Sequence, residues 1–469
     1  MHRPNRVEFN ARTQQLIAYL RGEIKAGTLR VGEYLPSEVE LGKRFGLSKE
    51  SVRRALDVLV EDGLIVKIRR VGNRVTKSEI DRNGDEDGTV ASHFPNSDEY
   101  TELRLAHYPS VSDEGRLQQA IASFEQSNPD IRVKLIPTSF PLEFAEHGIA
   151  DVVTLSAWDA LKLKEMDASE TLLTGMPDQP FAHPRLTAPF QSREGKLVAS
   201  PFVYSPVVLC YNRDHFEECQ IEEPHEAWTW YTLLKHAKLL HKQLQVRGFV
   251  AHIQSVNRWP VFLLQNGFRF KAEAPQQAAE DPALWESLRI SRDLVYQQGA
   301  PILWTESDSD VERWFREGRA SMILTTFYGM NSLMNTDLNY GVAPLPSLRT
   351  QDTLLLVTGL AIHERSPRQQ AARRLVQHLC GLNVQTDIRQ NTLTLPVHPE
   401  ALQMSTGLAG NRPYGEGAVS QQWDRARIYS DLNMSAAVLL AIREELKAYW
   451  SRVEDEAEAS ERLEMLLGL

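Results

Sequence analysis

Lys49 and Arg53 stand four residues apart, preceded by Ser48 and accompanied by Ser51. Residues four apart share one face of a helix, so this spacing sets an ammonium beside a guanidinium. A guanidinium can engage both acceptors of a guanine edge, and each good contact of that kind discriminates by about 1–3 kcal/mol. Hydroxyls and free backbone N–H groups at a helix start suit phosphate oxygens instead. That places Ser37, Ser48 and Ser51 with phosphates and Arg53 with a base edge, Lys49 and Arg54 beside it. Arg69, Arg70 and Arg74 gather around Gly72 and suit a phosphate backbone or a minor groove. Residues 1–80 hold 16 Lys and Arg against 10 Asp and Glu, a net +6, whereas the remainder holds 36 against 52, a net −16. A basic end on an acidic body is the pattern of a nucleic-acid-binding module joined to a different machine.

Residue types for other chemistries are scattered. Cys210, Cys219 and Cys380 are too few and too widely spaced for a disulfide framework or a metal site, and the 13 histidines show no ligand spacing. There is no glycine-rich nucleotide loop and no Gly-x-Ser-x-Gly elbow. Acid pairs such as Glu217-Glu218 and Glu222-Glu223 read as solvated surface. The expectation is a protein without metal, cofactor or catalysis. The start, Met1 to Glu8, has no apolar run, and no stretch reaches the roughly 18 apolar residues of a membrane span. A cytoplasmic location away from membranes follows as an expectation.

The positioning elements come next. Leu16, Ile17, Leu20 and Ile24 recur at helical spacing over residues 12–26, and Gly27 stops that helix. Ser37 caps a second helix that ends near Phe45-Gly46, and Ser48 caps a third running to about Glu61. Val52, Ala55, Leu56 and Leu59 form its apolar stripe. Leu64–Arg69 and Asn73–Thr76 read as two short strands around a Val71-Gly72 tip, giving a helix-turn-helix followed by a hairpin wing. Residues 78–101 open on a polar, acidic run with a single apolar side chain up to Gly88, a flexible linker by composition. From 103 onward strands and helices alternate, the mark of α/β units. Leu103–Ala106, Ile131–Ile136, Asp151–Leu155 and Val207–Tyr211 are strands, Gly115–Asn128 is a helix, and long helices dominate after 225. Ala436–Leu467 reads as one C-terminal helix, packed on its own lobe or serving as a dimer contact.

Leu35–Val75 resembles the winged-helix domain of the GntR transcriptional regulators. The matching residues are Leu35-Pro36-Ser37-Glu38, Leu41, Gly46-Leu47-Ser48, Ser51-Val52-Arg53, Ala55-Leu56, Leu59, Gly63-Leu64-Ile65 and Gly72. The resemblance implies that the third helix enters the major groove while the wing reaches the minor groove. Arginine often stands in the family where this chain has Val39 and Lys49; Val39 removes one contact that the resemblance implies, so an operator different from the family's usual one is expected.

Residues 103–469 resemble the sugar-binding, family 1 type of extracellular solute-binding proteins. Collinear landmarks are Ala120–Val133, Ala150-Asp151-Val152-Val153, Gly195–Phe202, Val208–Phe216, Trp228-Thr229-Trp230, Phe315–Met322 and Tyr340–Pro346. The resemblance implies two α/β lobes joined by crossover strands and closing on a small solute by hinge motion. It also places pocket residues: Ser156, Trp158 and Asp159; Tyr204 and Ser205; Asn257, Arg258 and Trp259; Tyr328; and Trp423. Trp228 and Trp230 fit core packing, Tyr211 and Asn212 fit hinge structure, and Trp259 fits core or pocket equally.

Together these give an α/β chain of three parts: a winged helix over 8–77, a linker over 78–101 and a two-lobe receptor over 102–469. The expected function is a homodimeric, ligand-responsive regulator that binds double-stranded operator DNA and senses a small solute, a carbohydrate or related metabolite. Two alternatives stay open. One is a GntR-type regulator with a pyridoxal-phosphate aminotransferase-like body; Asn128-Pro129-Asp130-Ile131 lacks the glycine that body needs, and no lysine stands in a Schiff-base context. The other is a cytoplasmic solute-binding protein without regulatory output.

Overall fold

The computed structural model describes residues 6–25, 29, 34–68, 72–76, 100–296, 305, 307–405 and 410–468. The chain divides into two units, Met1–Ser97 and Asp98–Leu469. The expected linker lies outside the described residues except for Tyr100 and Thr101.

In the first unit, α1 (Arg6–Lys25) begins earlier than its apolar spacing suggests. Leu16, Ile17, Leu20 and Ile24 are buried in one core with Val52, Ala55, Leu56 and Leu59 of α3 (Lys49–Glu61). Between them, α2 (Glu38–Phe45) starts at Ser37, whose hydroxyl accepts from the Glu40 N–H at 3.2 Å. It stops at Gly46, held at φ 63°, where a Cβ would come within 2.9 Å of the Arg12 guanidinium. The wing is β1 (Ile65–Ile68) paired antiparallel with β2 (Gly72–Val75). Gly72 opens the second strand, opposite Ile68, rather than forming the tip. Its φ of 138° suits glycine.

The second unit is built on β3 (Thr101–His107), β4 (Ile131–Pro137) and β5 (Val152–Ser156), with β4 and β5 flanking β3 in parallel. The organising element is β6, Ser200–Asn212, buried at all 13 positions. Through Pro206 it pairs with β9 (Thr353–Ile362), and from Val207 it pairs with β7 (Met322–Thr326) and then β8 (Tyr340–Ala343). Proline lacks the N–H a ladder needs and sits in sheets at bulges and edges. Accordingly the register shifts next to Pro201, and the change of partner falls at Pro206. One strand therefore crosses from a first lobe to a second, more than twice as long as the Val207–Tyr211 segment expected. β10 (Leu395–Pro396) extends the first sheet beside β6, and β11 (Ala426–Arg427) joins β9 in parallel.

One helical expectation holds with a shifted start, and one needs correction. The helix expected over 115–128 is α5 (Leu117–Ser127), starting two residues later than expected, and a separate turn of helix, α4 (Val111–Glu114), precedes it with Arg116 at φ 46° between them. Gly115, between them, leaves room for Phe202, whose ring a Cβ there would approach to 2.6 Å. The expected single C-terminal helix is instead two, Ala436–Trp450 and Glu456–Gly468. Arg452 turns left-handed at φ 54°, and Asp455 caps the second helix by accepting from the N–H groups of Ala457 and Glu458. Leu439, Ile442, Leu446 and Trp450 are buried against their own lobe.

Candidate functional site

On the first unit, the cap geometry of α3 exposes one basic face. Ser48 accepts from the Ser51 N–H at 3.3 Å. Ser51 turns inward, 5% exposed, with its hydroxyl 2.6 Å from that of Ser48, so it serves the cap rather than the surface. Ser37, Ser48, Lys49, Arg53 and Arg54 are exposed. Arg53 donates through Nε to Glu38 Oε2 at 2.9 Å while its side chain stays 45% exposed. An ion pair this open contributes little stability. Its consequence is orientation: one edge of the guanidinium is tied to α2. Arg54 pairs loosely with Glu50 at 3.9 Å. On the wing Gly72 and Arg74 are half-buried, and Arg74 also bridges to Tyr34. Arg69 and Arg70 lie outside the described residues.

On the second unit, the ends of β3, β5 and β7 deliver polar side chains to one region, as strand ends do in open α/β sheets. Ser156 closes β5 and caps the next helix, accepting from the Asp159 N–H at 3.1 Å and donating to Asp159 Oδ2 at 3.0 Å. The same carboxylate accepts from the Tyr108 hydroxyl, and Lys162 pairs with its other oxygen at 2.9 Å. Burial, with Asp159 beside it, holds the Tyr108 phenol well above its ordinary range. Trp158 packs edge-on against Tyr429, ring centroids 5.1 Å apart. The Tyr429 hydroxyl donates to Asn257 Oδ1, so Tyr429 joins the group after β5 to the Asn257-Arg258 turn. Burial raises the Tyr429 phenol as well.

Arg258 is 1% exposed and pairs with Asp308 at 3.2 Å. Its Nη1 donates to the Asn257 carbonyl, and its Nε has no acceptor among the described residues. One helical turn beyond Asp308, Glu312 accepts from Thr325 at 2.9 Å. Glu114 ends α4 on the other lobe, and Tyr328, after β7, donates its hydroxyl to the Leu356 carbonyl at 3.4 Å. Burial, first of all, pushes both carboxyls up to about 7.

The remaining expected pocket residues lie elsewhere. Trp259 is 1% exposed and packs on Trp450 at 6.1 Å between ring centroids, placing it in the core. Ser205 is fully buried, accepting from the Phe327 N–H and donating to the Pro206 carbonyl, a fixture of the crossover. Tyr204 donates to the Ser420 carbonyl at 3.0 Å and, with Trp423, lines a separate cavity of about 270 Å³. There His183 stacks on Trp423 at 4.2 Å between ring centroids. Trp228, Trp230 and Tyr211 are buried, and Asn212 caps the helix Arg213–Glu218.

Sequence inspection missed Tyr108, Glu114, Asp308, Glu312 and Tyr429. Tyr108 was within reach, because it follows the end of β3 as Ser156 follows β5. Asp308 and Glu312, four apart on one helix, carried a weaker signal.

Two lobes joined by a shared crossover strand, with polar groups meeting between them, define a solute-binding-protein fold. The chain belongs to the bacterial extracellular solute-binding protein family, which matches residues 108–380, more than half its length. Residues 12–75 match the gntR family of bacterial regulatory proteins. The chain is therefore a fusion of a gntR-type regulator domain with a solute-binding-protein domain.

Two curated relatives are transcriptional regulators. The HTH-type transcriptional repressor NagR of Bacillus subtilis (strain 168) is 37% identical over 68 residues, 14% of this chain and 28% of that protein. The HTH-type transcriptional regulator TreR of the same organism is 44% identical over 57 residues, 12% of this chain and 24% of that protein. The chain thus matches about a quarter of the length of these relatives. Among solved structures, the ABC substrate-binding protein Lmo0181 of Listeria monocytogenes, in complex with cycloalternan, superposes with a TM-score of 0.67 at 19% identity, over 78% of this chain and 98% of that one. Maltose-bound MalE3 of T. maritima gives 0.66 at 19%, over 78% and 99%. At such identity the likeness shows the fold.

Among the described residues no helix is long and apolar enough to cross a membrane.

Proposed function

We propose that this chain is a ligand-responsive transcriptional regulator. The exposed face of α3 reads an operator duplex, the wing grips its backbone, and a small solute enters between the lobes of the second unit. Closure on the solute changes the affinity for DNA. The observation that carries this is the union, in one chain, of a basic α3 face with a Glu38-oriented Arg53 and a polar cleft built at strand ends. Carbohydrate is the favoured solute class, because the fold neighbours include proteins solved with cycloalternan and maltose. Aromatic faces such as Trp158 with hydroxyl and carboxylate neighbours suit sugar rings. We propose the protein as a cytoplasmic homodimer with parts at 8–77, 78–101 and 102–469. Half-sites read by helix-turn-helix dimers lie roughly 34–36 Å apart, so a modest rearrangement suffices to spoil or create the fit. A coupling of about 1–3 kcal/mol changes operator affinity roughly 5- to 150-fold.

Arg53→Ala tests the DNA half. The loss on operator, about 1–3 kcal/mol, exceeds the loss on random duplex in a gel-shift titration. Equal losses on both sequences contradict base reading by Arg53. For the receptor half, a solute at 100 times its Kd raises stability by about 2.7 kcal/mol, visible as a thermal shift across a saccharide panel. A shift that leaves operator binding unchanged contradicts the regulatory coupling.

A further inference from the structure

The second unit carries two surfaces of opposite charge side by side. Helix Trp230–Leu244 sets Lys235, Lys238 and Lys242 at spacings of three and four, so the three ammonium groups share one face. All three are exposed and meet no carboxylate among the described residues. They form one wall of a groove of about 860 Å³, whose other wall is Asp293, Tyr296 and Arg452. The Arg452 guanidinium lies 4.0 Å over the Tyr296 ring and 3.9 Å from Asp293. Four cations thus face one carboxylate.

The last helix, Glu456–Gly468, is the converse. Glu458, Glu461 and Glu464 recur every three residues, all exposed. None of the three meets a cation among the described residues: Glu458 accepts from the Asp455 N–H at 2.9 Å, and Glu464 from the Ser460 hydroxyl at 3.4 Å. The one arginine of that helix, Arg462, is taken by Glu445 and Glu454. Between groove and helix stands Val453, at 77% the most exposed large apolar side chain among the described residues. Tyr231 and Leu239, on the lysine helix, and Met465, next to Glu464, are exposed as well.

Helix Pro282–Val295 fixes how close the two surfaces lie. Its Arg289 pairs at 2.8 Å with Glu456, at the start of the acidic helix. Asp293, four residues on and therefore on the same face, meets Arg452 of the groove. Four residues span about 6 Å of helix. The positive and negative patches adjoin on one side of the unit, with Val453 at their junction.

A two-fold interface brings the same surface of both copies together, so that residue i meets j and j meets i. A surface positive at one end and negative at the other complements itself in that arrangement, whereas a patch of one sign repels its copy. We infer that this face joins two copies of the chain. The lysine groove of each copy receives the Glu458–Glu464 stripe of the other, and the two Val453 side chains meet at the axis. This inference rests on the homodimer reading above and adds the surface that makes the dimer.

The test uses the full chain, with the dimer dissociation constant read by sedimentation equilibrium. One variant reverses the groove, Lys235→Glu with Lys238→Glu and Lys242→Glu. Another reverses the stripe, Glu458→Lys with Glu461→Lys and Glu464→Lys. All six side chains are exposed, where substitutions disturb the fold least. Each variant alone dissociates about tenfold more readily or beyond, since like charges then face each other. An equimolar mixture of the two recovers the parent constant, because the reversed groove meets the reversed stripe and the native groove the native stripe. Val453→Asp, which sets two like charges at the axis, weakens the dimer independently.

A dimer whose constant neither reversal moves overturns this surface and leaves the homodimer reading in place. Reversals that weaken the dimer without recovery on mixing overturn the pairing of groove with stripe. A parent chain that stays monomeric at every concentration overturns the homodimer reading, and this inference with it.

Discussion

Asp151→Ala lowers the stability of the unit Asp98–Leu469 by about 3 kcal/mol, the lower end of the range for breaking a buried ion pair. Asp151 is 1% exposed, and its two oxygens tie three segments together. Oδ2 accepts from the Arg104 backbone N–H at 2.9 Å, and Oδ1 accepts from the Ser366 hydroxyl at 2.8 Å. The guanidinium groups of Arg104 and Arg368 approach at 3.5 and 3.3 Å. Removing the carboxylate strands a backbone donor and a buried hydroxyl. Both arginines are about a third exposed and rehydrate, which sets the estimate at the low end. The measurement is convenient, since all nine tryptophans lie beyond residue 97, so tryptophan fluorescence reports this unit alone. A urea titration that moves by less than 1 kcal/mol contradicts the role given to Asp151.

Trp450→Ala costs about 3–5 kcal/mol, the range for emptying a buried tryptophan site. Trp450 is fully buried, donates its indole N–H to Ser291 at 3.0 Å, and meets Trp259 edge-on. Trp259 directly follows Asn257 and Arg258, so the tryptophan pair backs the turn that offers both residues to the cleft. The second expectation is therefore weaker solute binding at unchanged operator affinity in the absence of solute. Stability lost with solute affinity intact contradicts that backing role and leaves Trp450 as packing alone.

The caps of the first unit were legible because they are local. Ser37, Gly46 and Ser48 act on backbone groups within a few residues, and a turn that needs positive φ names its glycine. The stripe Val52, Ala55, Leu56 and Leu59 was legible for the same reason, since one period describes one buried face. By contrast, Ser51 sits on the face expected to meet phosphate, yet its hydroxyl is taken by Ser48; competition between two short polar side chains does not show in spacing. The long C-terminal periodicity hid its break at Arg452, because charged side chains continue the pattern across a turn.

By itself, then, the sequence determined that a basic helix-turn-helix precedes an acidic two-lobe solute-binding-protein domain, because helical period, caps and collinear motifs all act over short distances. The tertiary structure alone decided which polar groups meet. β6 changes partners at Pro206, and that crossover accompanies contacts between residues far apart in the chain: Tyr429 against Asn257 and Trp158, and Glu312 against Thr325. It also sent Ser205 and Trp259 into the interior. Burial and charge balance are properties of what surrounds a residue in space, and no local period encodes them.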